Sequence, residues 1–474
     1  MISAVVLLFA GQVWSVVRAP AQTPGSPLEI RDVTQLNPIL VTRVISPTTT
    51  EEIIDAVKQH AGPIAIGGAR HSMGGQIATA GALHIDMRRF NKVVAFSPEA
   101  KTITVQAGAR WREILEYIDP ANLSVTVMQS YANFTVGGSL STNVHGRYVG
   151  RGPVIESVTS MKVVMPDGSL IEATPARNAD VFNGVIGGYG GLGVITEATL
   201  ALTENVKVKR QDRTIPIDDY PRYFFDQVRQ TAGAIFHNGD IYPPGYDTVH
   251  AITYTQTEEP PTVAERLIPT GGSHELDRFA YWIVSEWPLG KAIRRRVIDP
   301  ALYHGTSITW RNYQSSYDAA ELEPASRASA TYALQEYFVP VARFSDFVPR
   351  MRDVLSRHDV NVINISIRHV LQDSQSLLSW ARGDVFGFVI YYKQGTSAAD
   401  QNEVGVWARE LIDAALSVEG TYYLPYQLHA TEAQFRRAYP RAREFFALKR
   451  RLDPTGKFLN RLWDKYYVDA SPSR

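Results

Sequence analysis

The spacing of apolar and polar positions changes period several times along this chain, and each change predicts an element. Thr49-x-x-Glu52 is a capping-box pattern, and Ile53, Ile54 and Val57 follow at helical spacing, which predicts a helix over 50–60 that stops near Gly62. A short apolar run at 63–66 predicts a buried strand, and 81–87 a second one. Residues 93–105 alternate on both sides of Ser97-Pro98-Glu99-Ala100, as a hairpin does, and 157–174 repeats the pattern around Pro166-Asp167-Gly168. Between and after these hairpins the pattern predicts short helices over 111–118 and 180–186, and strands over 124–128 and 194–202. In the second half, helices are expected over 220–232, 344–355 and 404–416, the last stopped by Gly420. Strands are expected over 330–339, 360–370 and 385–392. Residues 256–324 are rich in charge, Pro and Trp and have no clear period; they read either as a loop region over a site or as a surface insertion.

Three glycine-rich stretches interrupt the first half. The first, 65–76, reads Ala-Ile-Gly-Gly-Ala-Arg-His-Ser-Met-Gly-Gly-Gln and sets Gly67, Gly68, Gly74 and Gly75 around His71. Backbone without Cβ atoms approaches a ligand closely, and successive N–H groups in such turns form a concavity for a phosphate or pyrophosphate. A strand follows it rather than a helix, which removes the Walker and Rossmann readings. The second, Thr135-Val-Gly-Gly-Ser-Leu-Ser-Thr-Asn-Val-His-Gly146, is expected as a loop. The third, Gly187-Gly-Tyr-Gly-Gly-Leu-Gly193, formally matches G-x-G-x-x-G at Gly188, Gly190 and Gly193. Its order is helix, loop, strand, the reverse of the dinucleotide-binding context. Three such stretches in one α+β segment suggest a single large ligand spanning them all.

Composition narrows this picture. At 474 residues, two or three domains are expected. Lys plus Arg equals Asp plus Glu at 48 each, so no global field favours nucleic acid. The absence of cysteine excludes disulfides, thiolate metal sites and a cysteinyl nucleophile. Residues 2–17 carry no charge and contain two apolar runs, and Ala19-Pro20-Ala21 offers a cleavage pattern. The segment 1–21 reads as a signal peptide or an uncleaved amino-terminal anchor, its apolar run falling short of the roughly 20 residues of a full span. Export to the periplasm or the medium is the expectation, with no other stretch suited to a bilayer.

Gly68-x-x-His71-Ser72, Thr135-Val-Gly-Gly138 with a later His145-Gly146, and the run from Gly187 to Thr196 occur in one order. Together they resemble the FAD domain of the vanillyl-alcohol-oxidase, or PCMH-type, flavoprotein family. The resemblance implies an α+β fold. An FAD-binding domain of two α/β subdomains would cover 38–205, a cap domain with an antiparallel sheet 206–420, and 421–474 would return to the flavin. It implies FAD held by Ile66, Gly67, Gly68, Ala69, Arg70, Ser72 and Gln76 of the first stretch. Thr135, Gly137, Gly138, Ser141, Thr142, His145 and Gly146 of the second would join them, with Gly190, Gly193, Val194 and Ile195 of the third, and Asn460. His71 would be joined covalently to the 8α carbon of the isoalloxazine. The residues alone also leave His71 open as a solvent-facing loop residue or a metal ligand, although neither His60 nor His84 lies one helical turn away. No metal is expected.

On the substrate side, Glu336 shares a strand face with Leu334 and Phe338, while Asn364, Ser366 and Arg368 alternate with Ile363, Ile365 and Ile367. Glu336 and Arg368 read either as a structural ion pair or as side chains that grip a polyhydroxylated substrate. Glu336-Tyr-x-x-Pro340 resembles the segment of alditol and aldonolactone oxidases whose glutamate contacts substrate. The run Leu424 to His429, Tyr439-Pro440 and the run Leu452 to Asn460 resemble the carboxyl end of sugar oxidases and of decaprenylphosphoryl-ribose oxidase. Those relatives place a lysine near 426–429, where this chain has Tyr426, Gln427 and His429; Tyr426 and His429 are therefore candidates. His-Ser-Met-Gly-Gly-Gln is similar to cytokinin dehydrogenases, which use an aspartate shortly before Thr-Val-Gly-Gly. Here that place is Ser130, and 128–133 holds no carboxylate, which disfavours amine oxidation. The expected activity is FAD-dependent oxidation of a CH–OH group on a small sugar, polyol or aldonolactone, with hydride passing to flavin N5 and then to O2 or another acceptor. The alternatives are an enzyme acting on a lipid-linked sugar and a flavin-binding protein without turnover.

Overall fold

The computed structural model describes residues 26–272, 274–324 and 326–467. The expected amino-terminal leader, 1–21, lies outside them. Among the described residues no helix is long and apolar enough to cross a membrane.

The fold is α+β and rests on three larger sheets. A parallel three-stranded sheet sets Leu83–Asp86 between Arg43–Ile45 and Ile64–Gly67. The helix Thr50–Gln59 connects the outer two strands, and Thr49 caps it through Oγ1, which accepts from Glu52 N at 3.2 Å. The second sheet is antiparallel and is centred on Val194–Glu204, which pairs with Val158–Val164, Thr102–Gln106 and Leu123–Val125. Val93–Ser97 and Leu170–Ala173 close its edges. The third has eight antiparallel strands, in the spatial order Ile308–Trp310, Lys207–Pro216, Thr248–Gln256, Ala234–Ile241, Val362–Val370, Val385–Gly395, Ala330–Pro340 and Thr421–Tyr422. The amphipathic helices Phe344–Arg357 and Ala398–Ser417 cover one face of it with Phe347, Met351, Trp407 and Leu411. Its other face is left for something else. One continuous apolar core runs from Ile53 to Tyr466 and joins the sheets.

Three elements depart from expectation. Residues 135–146 are not all loop, because Val136–Thr142 is a helix that ends at Asn143 in the left-handed region, φ 50°. Gly and Ser are poor helix formers, but at Gly137 a Cβ would lie 2.8 Å from Ala107 Cβ, so close packing sets the composition there. The helix expected over 220–232 is a single α turn, Tyr220–Tyr223, that widens into the π-helix Phe224–Val228. The segment 256–324 contains the helix Glu275–Glu286, whose one deeply buried residue is Val284. With so narrow a buried stripe, no period shows in the sequence.

Candidate active site

A cavity of about 640 Å³ opens between the glycine-rich segments and the free face of the eight-stranded sheet. That is within the roughly 300–1,000 Å³ of ordinary ligand sites. Its first wall is the loop after Ile64–Gly67. Ile66, Gly68, Ala69, Arg70, His71, Ser72 and Gln76 face it, whereas Gly67 does not. Gly67 rests on the imidazole of His84, 2.5 Å from where a Cβ would stand. Arg70 turns the chain with φ 65°, and its guanidinium donates to Asp86 Oδ2 at 3.1 Å from the neighbouring strand. Gln76 ties the loop to the carboxyl end, donating from Nε2 to the carbonyls of Leu424 (2.6 Å) and Tyr426 (2.8 Å). His71 meets the edge of Phe134 at 4.2 Å. Burial, reinforced by the charge of Arg110, pulls its pKa down to about 4. The imidazole is therefore neutral at pH 7, with a free nitrogen lone pair.

Thr135, Gly137, Gly138, Ser141, Thr142 and His145 of the second segment line the cavity, as do Gly190, Gly193 and Ile195 of the third. Gly146 and Val194 lie behind the wall. A Cβ on Gly146 would strike Met128 O at 2.2 Å, and Val194 is core. Asn460 also lies off the cavity. It caps the helix Arg461–Tyr466 through Oδ1 and donates from Nδ2 to Tyr189 O at 2.7 Å, so it props the third segment from outside. Two features fit a bound FAD. Gly68 approaches Thr135 so closely that a Cβ would sit 2.1 Å from Thr135 Oγ1, leaving bare backbone toward the cavity. Thr135 Oγ1 and Ser130 Oγ are buried without a partner among the described residues, which is costly unless a ligand or water supplies one. The neutral His71 beside them suits attachment to an electrophilic ring carbon. Among the described residues no group of three metal-ligating side chains occurs.

On the sheet side, Glu336 and His145 come together from positions 191 apart in sequence, both side chains only 2% exposed. His145 Nε2 lies 2.7 Å from Glu336 Oε1, and its Nδ1 lies 3.2 Å from Gly146 O. Glu336 Oε2 accepts from the Tyr426 hydroxyl at 3.2 Å. Trp380 and Phe338 wall in the imidazole, with ring centroids 4.9 and 5.4 Å away. Arg368 lines the same cavity but forms no ion pair with Glu336. Its guanidinium has no protein partner among the described residues, and its Nε is buried. His429 departs from expectation: it packs against Gly405 away from the cavity, and burial beside Lys465 and Arg409 pulls it down to about 4.

Sequence reasoning missed Glu321. The lead-in 128–133 has no carboxylate of its own, yet the segment at 317–320 is stitched to it. Ala132 N donates to Tyr317 O at 2.9 Å, and Asn133 Nδ2 to Asp318 Oδ1 at 2.9 Å. This brings Glu321 into the cavity beside the Tyr131 hydroxyl. Burial raises Glu321 to about 7, with Asp277 and Asp318 adding to the shift and Tyr131 opposing it. Nothing in the spacing of 128–133 announces a partner from so far down the chain.

Comparison with known proteins gives concordant matches. Residues 41–174 match the FAD binding domain family, and residues 243–466 match the D-arabinono-1,4-lactone oxidase family. The chain is 26% identical to an alditol oxidase of Streptomyces sp. over 428 residues, covering 87% of this chain and 93% of the relative. It is 22% identical to L-gulonolactone oxidase of Bos taurus over 430 residues, 89% and 94% of the two chains. Cytokinin dehydrogenase 2 of Arabidopsis thaliana is 29% identical over 192 residues, only 39% and 38% of the two chains.

Proposed function

Since the chain belongs to the PCMH-type family of FAD-dependent oxidoreductases, we propose that it oxidises a CH–OH group of a polyol, sugar or aldonolactone with FAD tethered through His71. One observation carries this reading. The glycine-rich walls, the neutral His71, the Glu336–His145–Tyr426 cluster and an unpartnered Arg368 guanidinium all face one cavity. Two relatives matched along nearly their whole length are an alditol oxidase and an L-gulonolactone oxidase.

When bound, FAD supplies the two-electron acceptor for the hydride that leaves the substrate carbon. The chain supplies position, charge and a place for the proton. Arg368, free of protein partners among the described residues, binds substrate hydroxyls and stabilises the oxygen as its proton leaves. Glu336 takes that proton at Oε2, within reach of the cavity, while His145 holds Oε1 and fixes the carboxylate's orientation. Tyr426 donates to the same oxygen and relaxes as the carboxyl is protonated. The aromatic wall of Trp380 and Phe338 keeps water from the pair, which strengthens each of these contacts.

Anaerobic mixing of the purified protein with polyols, hexoses and aldonolactones tests the reading. At least one class should bleach the flavin, and oxygen uptake on re-aeration assigns O2 as acceptor. A panel in which nothing bleaches overturns oxidation of a free polyol, sugar or aldonolactone and leaves a flavin carrier or an enzyme for a lipid-linked sugar. The tether has its own test in acid precipitation, where flavin that stays with the protein supports the His71 bond and free FAD in the supernatant rejects it.

A further inference from the structure

The cavity floor is a sheet face, so strand register gives its length. Glu336 pairs with Val389, Val389 with Ser366, and Ser366 with Asp240, and all four line the cavity. Three inter-strand steps of about 4.8 Å place Asp240 roughly 14 Å from Glu336 along the floor. A free pentitol or hexose with its reacting carbon at Glu336 stops short of Asp240. The far end is nonetheless built for hydrogen bonding. Asp240 has no ion pair among the described residues, and its one side-chain donor, Asn238 Nδ2, is distant at 3.3 Å. Arg294 donates to Ile363 O (2.8 Å) and Asn364 Oδ1 (3.1 Å), which fixes the Asn364 amide and leaves its Nδ2 to donate. Beside this line, two residues along the strand from Val389 and opposite Asn364, Tyr391 forms an aromatic patch with Tyr281 at 5.7 Å and Tyr332 at 5.6 Å between ring centroids. Such rings cover the apolar C–H face of a sugar while its hydroxyls reach the polar groups at the edges.

We propose that Asp240 and Asn364 form a distal subsite for a second sugar ring, so that the preferred substrate is a glycosylated polyol or a disaccharide. The proposal rests on the CH–OH reading above. Asp240 accepts from hydroxyls of the outer ring and Asn364 donates to them. Tyr391 and Tyr281 hold the glycosidic region, and the polyol unit, or the reducing sugar of a disaccharide, lies at Glu336 and Arg368.

Sorbitol and its glucosylated form maltitol are a suitable probe pair, measured both by calorimetric binding and by anaerobic flavin reduction. Maltitol should bind tighter and show the higher kcat/KM. In Asp240→Asn the maltitol-to-sorbitol ratio of kcat/KM should fall about 10- to 100-fold, the usual worth of hydrogen bonds to a charged group. Asn364→Ala provides an independent variant at the same subsite and should lower that ratio too. Equal Kd and kcat/KM for the two ligands, or a ratio unmoved by both variants, overturns the subsite and leaves the CH–OH reading standing. Tighter binding of maltitol with no flavin reduction by either ligand leaves the subsite standing and overturns that reading. Neither binding nor reduction overturns both.

Discussion

A histidine that is to bond a flavin ring has to be neutral, and burial together with Arg110 achieves this for His71 by pulling it to about 4. His71→Ala should therefore release all of its flavin on acid precipitation, while the glycine-lined backbone still binds FAD reversibly; absorbance of pellet and supernatant decides it. Glu336 acts differently, since its 2.7 Å contact with His145 forms across 191 positions and no local spacing encodes it. Glu336→Gln keeps the shape and removes the proposed proton acceptor, so kcat should fall by about 10²–10⁴-fold with a smaller change in KM. Glu321 carries a pH signature. Its pKa is raised from 4.5 to about 7, so the folded state binds this proton more tightly than the unfolded chain, and its penalty to stability appears as pH rises through that interval. The melting temperature of Glu321→Gln should gain on the parent's between about pH 5 and about pH 8. A gap that is constant or shrinks with pH would contradict the assignment.

At the scale of elements, the carboxyl end returns to the cofactor side through one buried cation. Lys449, at the end of Ala442–Leu452, is wholly enclosed with Asp453 and donates to Gly191 O (2.7 Å), Phe458 O (2.8 Å) and Asp453 Oδ2 (2.8 Å). Asp453 in turn accepts from the backbone N–H groups of Lys457 (2.7 Å) and Phe458 (2.9 Å). Burial alone would lower the Lys449 pKa further, and the Asp453 charge holds part of it back. Lys449→Met leaves Asp453 buried without its cation, which should cost about 3–5 kcal/mol in denaturant unfolding. It should also loosen the third glycine segment, read as faster FAD loss in a His71→Ala background. An unchanged unfolding midpoint would show that the pair carries no such weight. The apolar faces of Thr50–Gln59, Phe344–Arg357 and Ala398–Ser417 were readable because each packs against one layer and shows one period. The helix Glu275–Glu286 was not, since it divides its apolar residues between the cavity, where Tyr281 and Val284 point, and solvent, where Leu276 is 82% exposed.

At the scale of the molecule, glycine spacing marked three walls for one large ligand, because backbone that must approach a ligand leaves a record in missing Cβ atoms, and the family resemblance added which ligand it is. The substrate side left a weaker record. Its floor is assembled by register across four strands from distant parts of the chain, and the alternation in each strand says only that one face is polar. This division has a thermodynamic consequence. Both halves line one cavity, so a flavin that touches the glycine-rich walls and the sheet floor alike would add its binding free energy to the stability of the whole. In His71→Ala stripped of flavin, FAD at 100 times its Kd should raise the unfolding free energy by about 2.7 kcal/mol through mass action. The apolar core is continuous from Ile53 to Tyr466, so that gain should move a single calorimetric transition upward rather than one of two. Two transitions, only the lower shifting with FAD, would mean that the cofactor is held by the glycine-rich walls alone and that the sheet floor meets only the substrate.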